Sequence, residues 1–254
     1  MIDIYSAYGP LCTKVYELSK PVGYSTGDVE YYTERLKGRK GKTLEVGCGS
    51  GRVLVPLLES GIPIEGIDYS SSMLDSCRAE CHDRGLSTTL YLGDMGDFSL
   101  DEKYSDIIIP GGSFQLIEER EKAVQALRNF YDHLESGGRL ILDLFLDIDL
   151  ELNKVSMRTW EIPPSEAITL ETRIIEVDFL KQKTVSLLKY EQWSEGQLLQ
   201  TELQRFPLCW YGLHEFQLLL ESIGYKDVTI SADYSYGTLP THAGAMLTYE
   251  AIKY

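Results

Sequence analysis

The sequence has 254 residues, a length that suits one large α/β domain or two smaller domains. With 43% hydrophobic and 25% charged residues, the composition excludes a wholly disordered chain, a collagen-like chain and a small disulfide scaffold. The formal charge of −15 repels a phosphate backbone, and the sequence holds no long basic run, so we expect no nucleic-acid partner.

The N-terminal segment and the cysteines indicate a cytoplasmic protein with no membrane partner. No basic start followed by an apolar stretch is present, which predicts no signal peptide, and the apolar runs are too short for a membrane span. Five cysteines are an odd number at scattered spacings, which favours a reducing compartment. Cys77 and Cys81 would share a helix face, but no second Cys or His pair accompanies them, so we expect no metal site.

Residues 43–146 alternate between strand and helix signals. Strands are predicted at residues 43–47, 62–67, 88–92, 106–109 and 139–146. Helices are predicted at residues 52–58, after the serine cap at 70–72, and from Ala123 to Leu134 ahead of a Gly137-Gly138 stop. Such alternation with nearly continuous apolar strands favours a parallel sheet covered on both faces.

From about residue 150 to residue 206 the pattern becomes a two-residue alternation. It predicts four antiparallel strands at residues 155–162, 168–179, 184–193 and 198–206. Apolar side chains share one parity up to Ile174 and the other parity from Ile175 onward, which predicts a bulge or an edge bend there. A helical stripe from Leu213 to Ile223 follows, and the last strands are predicted at residues 226–230 and 243–252.

The most informative stretch is a strand that runs into a glycine turn and then into a helix. Gly47, Gly49 and Gly51 allow a tight turn whose backbone N–H groups can receive an anionic group. Asp68 ends the next strand, where an acid accepts hydrogen bonds from ribose hydroxyls. A dinucleotide fingerprint would place Gly or Ala at the position of Arg52. Glu45, just before the turn, could hold an ammonium group, so the pattern suits a ligand with an amino acid at one end and a ribose at the other.

These residues resemble the class I S-adenosylmethionine-dependent methyltransferases. Residues 45–51 match the family's first motif, Asp68 matches its ribose-binding acid, and residues 93–95 match the turn that binds adenine. Residues 71–74 match the helix start whose methionine packs on the adenine. The N-terminal segment and the insert are similar in pattern to small-molecule N-methyltransferases, including the amino-sugar dimethylating enzymes. In those enzymes an N-terminal Tyr followed by an acid closes over the methionine end. Tyr16 with its neighbouring acid is the nearest match, and Tyr32 is a second candidate.

The resemblance implies a Rossmann-like, seven-stranded, mostly parallel sheet with helices on both faces and an antiparallel β insert after the fifth strand. We accordingly expect an N-terminal helical lid at residues 1–40, a core at 41–150 and 207–254, and the insert at 151–206. S-adenosyl-L-methionine is the implied cofactor, and no metal is implied. The implied cofactor-binding residues are Tyr16, Tyr32, Glu45, Gly47, Cys48, Gly49, Asp68, Tyr69, Met73, Asp94, Met95 and Pro110.

Methyl transfer from a sulfonium is an in-line displacement, which an enzyme can catalyse mainly by alignment and by excluding water. A base is required only if the nucleophile must lose a proton. His242, on the connection between the last two strands, is the candidate base, and Tyr16 is a second candidate catalytic residue. Candidate walls of the acceptor pocket are Phe114, Trp160, Tyr190, Trp193, Tyr211 and Tyr236.

The sequence thus predicts a small-molecule methyltransferase that acts on nitrogen or oxygen. Three alternatives stay open: a non-catalytic or regulatory protein that keeps the cofactor pocket, a nicotinamide-dependent oxidoreductase on the same fold, and a protein methyltransferase. The position of Arg52 speaks against the oxidoreductase. Both a monomer and a homodimer are compatible with the sequence, since the insert would have exposed edges.

Overall fold

Two β-sheets and six helices organise the part of the chain that the computed structural model describes, which is residues 5, 8–146 and 150–254. The predicted lid at 1–40 and the predicted core at 41–150 therefore each include a few residues outside the described ones. The strands are β1 (Thr43–Val46), β2 (Ile64–Asp68), β3 (Leu90–Leu92), β4 (Tyr104–Ile109), β5 (Leu134–Leu144), β6 (Val155–Ile162), β7 (Glu166–Asp178), β8 (Lys183–Ser194), β9 (Gln197–Cys209), β10 (Lys226–Ala232) and β11 (Leu247–Ile252). The helices are α1 (Pro10–Ser19), α2 (Asp28–Leu36), α3 (Leu54–Glu59), α4 (Ser71–Asp83), α5 (Arg120–His133) and α6 (Leu213–Ile223), with a 3-10 helix at Pro110–Leu116.

The larger sheet has seven strands in the order β10-β11-β5-β4-β1-β2-β3. Pairings among β1 to β5 are parallel, whereas β11 runs antiparallel to both of its neighbours. Every residue of β1 and β4 is buried, as expected for strands covered by helices on both faces. The predicted Rossmann-like, mostly parallel sheet is therefore confirmed.

The start of α4 agrees with the sequence prediction, whereas the end of α5 does not. The Ser70 side chain accepts a hydrogen bond from the Met73 backbone N–H and caps α4, as the serine run predicts. Helix α5 ends at His133, and β5 begins directly at Leu134. The glycine pair at 137–138 therefore does not stop the helix but lies inside β5, between Leu134 and Arg139, where the register against β4 shifts.

The insert is a separate sheet of four antiparallel strands in the order β6-β7-β8-β9. The pairing of β7 with β8 shifts register between Ile174 and Glu176, so Ile175 is the extra residue of the predicted bulge. Strand β9 continues to Cys209, beyond the predicted boundary at residue 206. Ile168 and Tyr190 are buried on the inner face of this sheet, which turns toward α1.

Helix α1 lies between the insert and the core. Its residues Leu11, Cys12 and Val15 pack with Ile168 and Tyr190 in one apolar cluster. The Glu202 carboxylate of β9 accepts the Leu11 and Cys12 backbone N–H groups at 2.9 and 3.4 Å, so an acid of the insert holds the N-terminus of the helix. Among the described residues, no helix is long and apolar enough to cross a membrane.

Candidate active site

A cavity of about 340 Å³ lies at the carboxyl ends of the core strands, between the large sheet, α1 and the inner face of the insert. Loops that follow β1 to β5 all contribute to its wall. This is the edge at which open α/β sheets bind their ligands. Its size falls within the range of about 300–1,000 Å³ that is typical of small-molecule sites.

The glycine turn forms one end of the cavity and depends on backbone conformations that favour glycine. Gly47 and Gly51 have φ values of +74° and +87°. A Cβ atom on Gly51 would lie 2.7 Å from the Cys77 sulfur, and one on Gly47 would lie 3.1 Å from the Ser113 Cβ. Glycine at 51 therefore lets the turn pack against α4, and glycine at 47 keeps the turn clear of the loop after β4.

The Asp68 carboxylate is fixed beside this turn. One of its oxygens accepts the Gly49 backbone N–H at 2.9 Å, and the other accepts the Ser70 backbone N–H at 2.9 Å. Burial raises the pKa of Asp68 although these backbone hydrogen bonds favour the charged form. A carboxylate offers about four acceptor positions, so Asp68 can still accept hydrogen bonds from hydroxyl groups of a ligand.

Glu45 is the most unusual group in the cavity wall. Its side chain is buried with 3% exposure, and its Oε2 atom has no hydrogen-bond partner among the described residues. Burial raises the pKa of Glu45 well above its usual value, and the nearby positive charge of Arg52 opposes that effect only in part. A cationic ligand group beside Glu45 would pair with this carboxylate, so the space next to Glu45 suits an ammonium group.

Arg52 ties the N-terminal segment to the glycine turn. Its guanidinium pairs with Asp28 at 2.5 Å, donates to the Tyr16 hydroxyl at 3.3 Å and donates to the Tyr24 carbonyl at 2.9 Å. Arg52 and Tyr16 both line the cavity, and the closing of Tyr16 over the methionine end of a cofactor stays a prediction. The Glu17 side chain turns away and bonds Ser76. The sequence used Arg52 only to argue against a dinucleotide and missed its role as an anchor, although its place directly after the glycines was the available signal.

The turn after β3 and the start of α4 form the adjoining wall. Tyr69, Met73 and Met95 line it, and Met73 is buried with 3% exposure. Asp94 lies beside Met95, but its side chain is exposed and its carboxylate accepts the Gly96 backbone N–H at 2.7 Å. Its predicted contact with an adenine stays a prediction, because the structure places it next to the cavity and not among the lining residues.

The opposite wall is mainly apolar and comes from the insert and α1. Trp160 and Tyr190, both predicted, line it. The Tyr190 hydroxyl lies 3.3 Å from both the Cys12 sulfur and the Gln204 amide oxygen. Burial raises the pKa of Cys12 to about 11, so this thiol is neutral at physiological pH. Residues that sequence reasoning missed on this wall are Lys20, Arg158, Leu170, Leu188, Gln204, Phe206 and Leu208.

Several predicted residues belong to the core rather than to the cavity. Phe114 is fully buried and packs its ring 5.8 Å from that of Tyr211, so both are corrected from pocket walls to core side chains. Tyr32 of α2 is fully buried and does not line the cavity. The Trp193 indole donates to the Thr169 hydroxyl at 3.1 Å, on the outer face of the insert.

The connection between β10 and β11 also departs from expectation. Asp233 and Tyr234 adopt φ values of +49° and +58°, and the chain folds back on itself. This reversal turns Tyr234 inward and leaves Tyr236 exposed, with its ring 3.8 Å from the Arg35 guanidinium. His242 is exposed and lies 3.3 Å from Asp233, so the structure does not bring the candidate base to the cavity.

Asp143, inside β5, is a buried carboxylate that the sequence did not single out. It accepts hydrogen bonds from the Gly111 backbone N–H at 2.9 Å, the Thr248 hydroxyl at 2.7 Å and the Tyr234 hydroxyl at 3.1 Å. Burial raises the pKa of Asp143 to about 6. Gly111 and Gly112 have φ values of +66° and +82° and line the cavity, so Asp143 holds this turn in place from behind. An acid within an otherwise apolar strand was the signal available in the sequence.

Comparison with known proteins agrees with this geometry. A family described as a methyltransferase domain matches residues 43–138. The chain is 28% identical over 141 residues to a cypemycin N-terminal methyltransferase of a Streptomyces species, covering 54% of this chain and 56% of that protein. It is 31% identical over 100 residues to a dTDP-3-amino-3,4,6-trideoxy-alpha-D-glucopyranose N,N-dimethyltransferase of Streptomyces venezuelae, covering 39% of this chain and 40% of that protein. The chain thus spans about half the length of the curated relatives it matches.

Solved structures show the same fold over nearly the whole chain. The CcbJ methyltransferase of Streptomyces caelestis superposes with a TM-score of 0.77 at 19% identity, covering 98% of this chain and 99% of that one. The sugar N-methyltransferase KedS8 of Streptoalloteichus superposes with a TM-score of 0.74 at 18% identity, covering 100% of this chain and 98% of that one. Residues 43–138 therefore match a methyltransferase domain, and nearly the whole chain has the fold of these solved methyltransferase structures.

Proposed function

We propose that this chain is an enzyme that transfers a methyl group from S-adenosylmethionine to a nitrogen atom of a small-molecule acceptor. The observation that carries the proposal is a single cavity with two unlike ends. One end holds the glycine turn, Glu45 and Asp68, and the other is an apolar chamber under the insert. Two relatives whose names describe amino-sugar N,N-dimethyltransferases support the nitrogen acceptor.

The residues at the first end fit the cofactor. The orphaned Glu45 oxygen suits the ammonium of its methionine part, and Asp68 suits its ribose hydroxyls. Tyr69, Met73 and Met95 offer an apolar surface for its adenine. When bound, the cofactor supplies a methyl group already activated by the sulfonium charge. The chain contributes alignment of the two reactants and a chamber that excludes water.

The titratable groups of the cavity favour nitrogen over oxygen as the attacking atom. No histidine lines the described cavity wall, and its carboxylates, Glu45 and Asp68, both stand at the cofactor end. An unprotonated amine attacks without help from a base, whereas a hydroxyl must lose a proton during attack. The chamber under the insert therefore suits an amine better than an alcohol.

We also infer the compartment of the enzyme and the kinds of partner it has. We expect it to act in the cytoplasm, because its five cysteines are buried free thiols. The net charge of −15 supports the absence of a nucleic-acid partner. The outer face and edges of the insert leave both a monomer and a homodimer open, and sedimentation analysis would distinguish them.

Calorimetric titration with S-adenosylhomocysteine tests the proposal. We expect the wild-type protein to bind it, and Asp68→Ala to weaken binding by about 1–3 kcal/mol through the lost charged hydrogen bonds. Asp101→Ala, at an exposed position remote from the cavity, is the matched control and should bind like the wild type. Transfer of labelled methyl groups to a panel of small amines, with the matching alcohols beside them, then tests the nitrogen preference. Folded wild-type protein that binds no S-adenosylhomocysteine would refute the proposed function.

A further inference from the structure

Besides Arg52, two basic side chains line the cavity from elements that are far apart in the sequence. Lys20 is the residue that caps the C-terminus of α1, and Arg158 lies in the middle of β6 of the insert. Both are exposed, so solvent reaches them from the opening. Among the described residues, neither has an acidic side chain within ion-pair distance, which sets them apart from Arg52 with its Asp28 partner.

The two positive charges influence each other. Partial burial lowers the pKa of Lys20, and the positive charges of Arg52 and Arg158 lower it further, while Asp28 opposes them. Asp28 is already bonded to Arg52, so it compensates Lys20 only in part. Like charges held together at a cavity are unfavourable unless an anion joins them. In a chain of net charge −15, this group of cations makes the opening a local positive region that attracts anions.

The surroundings of Arg158 indicate what else the occupant carries. Arg158 and Trp160 are two residues apart on one strand and therefore share the inner face of the insert. Leu170 lies opposite Arg158 on β7, and both Trp160 and Leu170 line the cavity. A ligand with an anionic group and an apolar or ring-shaped body would satisfy the charges and cover this wall.

We propose that Lys20 and Arg158 bind an anionic group, a phosphate or a carboxylate, of the methyl acceptor, while the body of the acceptor packs against Trp160 and Leu170. This inference rests on the proposed function. The carboxylate of the cofactor is the other possible source of negative charge. We assign the site to the acceptor because Arg158 belongs to the insert, outside residues 43–138 that match the methyltransferase domain.

Titrations with two anionic probes test the assignment. Phenyl phosphate and benzoate combine a ring with each anion type, and benzyl alcohol is the neutral probe. Each is titrated into wild-type protein, Lys20→Ala, Arg158→Ala and the double variant, with and without saturating S-adenosylhomocysteine. Lys14→Ala is the matched control, because Lys14 lies on the same helix but does not line the cavity.

We expect at least one anionic probe to bind the wild type, and its affinity to fall about tenfold in the double variant, the equivalent of one lost charged contact. Lys14→Ala should bind the probe normally, the affinity for benzyl alcohol should not change, and all variants should bind S-adenosylhomocysteine like the wild type. The relative affinity for the two anions identifies which type the acceptor carries.

Equal probe affinity in all variants, or no probe binding to the wild type, would overturn the assignment. Weaker S-adenosylhomocysteine binding in the double variant would overturn it in favour of the cofactor carboxylate. Probe binding without any S-adenosylhomocysteine binding would instead refute the proposed function alone.

Discussion

Replacing Glu45 by Gln should raise the stability of the free protein and weaken cofactor binding at the same time. The carboxylate is 3% exposed and one of its oxygens has no hydrogen-bond partner among the described residues. Burial raises the pKa of Glu45, so its ionised form is disfavoured in the free protein. The same ionised form is the one that an ammonium group would stabilise. We therefore expect that Glu45 lowers the stability of the free protein and contributes to cofactor binding.

The magnitudes of the two effects are similar and their signs are opposite. A buried carboxylate oxygen without a partner costs about 1–3 kcal/mol; Glu45→Gln removes the charge but keeps a polar amide, so it should increase the free energy of unfolding at neutral pH by a part of that amount. A hydrogen bond to a charged group contributes about 1.5–3 kcal/mol, so affinity for S-adenosylhomocysteine should fall about 10- to 150-fold. Glu34→Gln, at an exposed position of α2, should change neither quantity.

The pH dependence of binding gives an independent readout. The raised pKa means that Glu45 keeps its proton in the free protein to higher pH than an ordinary glutamate. An ammonium beside it lowers that pKa, so binding releases a proton and affinity should rise as pH increases from about 4.5 through the raised pKa. Glu45→Gln should lose this contribution.

Calorimetry in buffers of different ionisation enthalpy measures the proton release directly, and urea unfolding at neutral pH measures stability. The reasoning fails if Glu45→Gln binds S-adenosylhomocysteine as tightly as the wild type with an unchanged proton release. It also fails if the variant is less stable than the wild type while binding is unaffected, since Glu45 would then be a structural acid.

Three further predictions concern Asp143, Arg52 and His242. Because burial raises the pKa of Asp143 to about 6, its contribution to stability is present below the unfolded value of about 3.9 and is lost as pH rises through 6. Urea unfolding across this range should show a loss of about 3 kcal/mol that Asp143→Asn removes; an unchanged profile would contradict the assignment. Arg52→Met leaves Asp28 buried without its partner and should destabilise the protein by about 3–5 kcal/mol, and Asp28→Asn in the same chain should recover part of that loss. His242→Ala should leave methyl transfer within about twofold of the wild-type rate, and a loss above tenfold would return His242 to the role of base.

The predictable parts of the molecule are those whose signal is local in the sequence. The glycine turn, the acid at the end of β2 and the parity switch at Ile174 each depend on a few consecutive residues, and the structure shows each of them. The contacts that were missed join distant positions: Arg52 with Asp28, and Asp143 with the connection after β10. The spacing of apolar residues in the sequence does not indicate such pairs, because each partner alone has the pattern of an ordinary charged residue.

The wrong assignments among the predicted acceptor-pocket residues have physical reasons. Aromatic side chains suit a core and a pocket equally well, so Phe114 and Tyr211 could not be assigned from type or spacing. His242 contacts Asp233, and Asp233 and Tyr234 both have left-handed backbone although neither is a glycine that would signal it. The reversal of the chain after β10 changes which side chains of this loop face the protein interior, and it places Tyr234 inside.

The two ends of the cavity are therefore built on different principles. The end that we propose for the cofactor uses residues adjacent to the glycine turn: a backbone N–H group holds Asp68, and Arg52 holds Tyr16 and Asp28. The end that we propose for the acceptor is assembled from α1 and the insert, and Glu202 of the insert binds the N-terminus of α1. A change in acceptor preference can thus arise on α1 or on the inner face of β6 to β9 without disturbing Glu45 or Asp68.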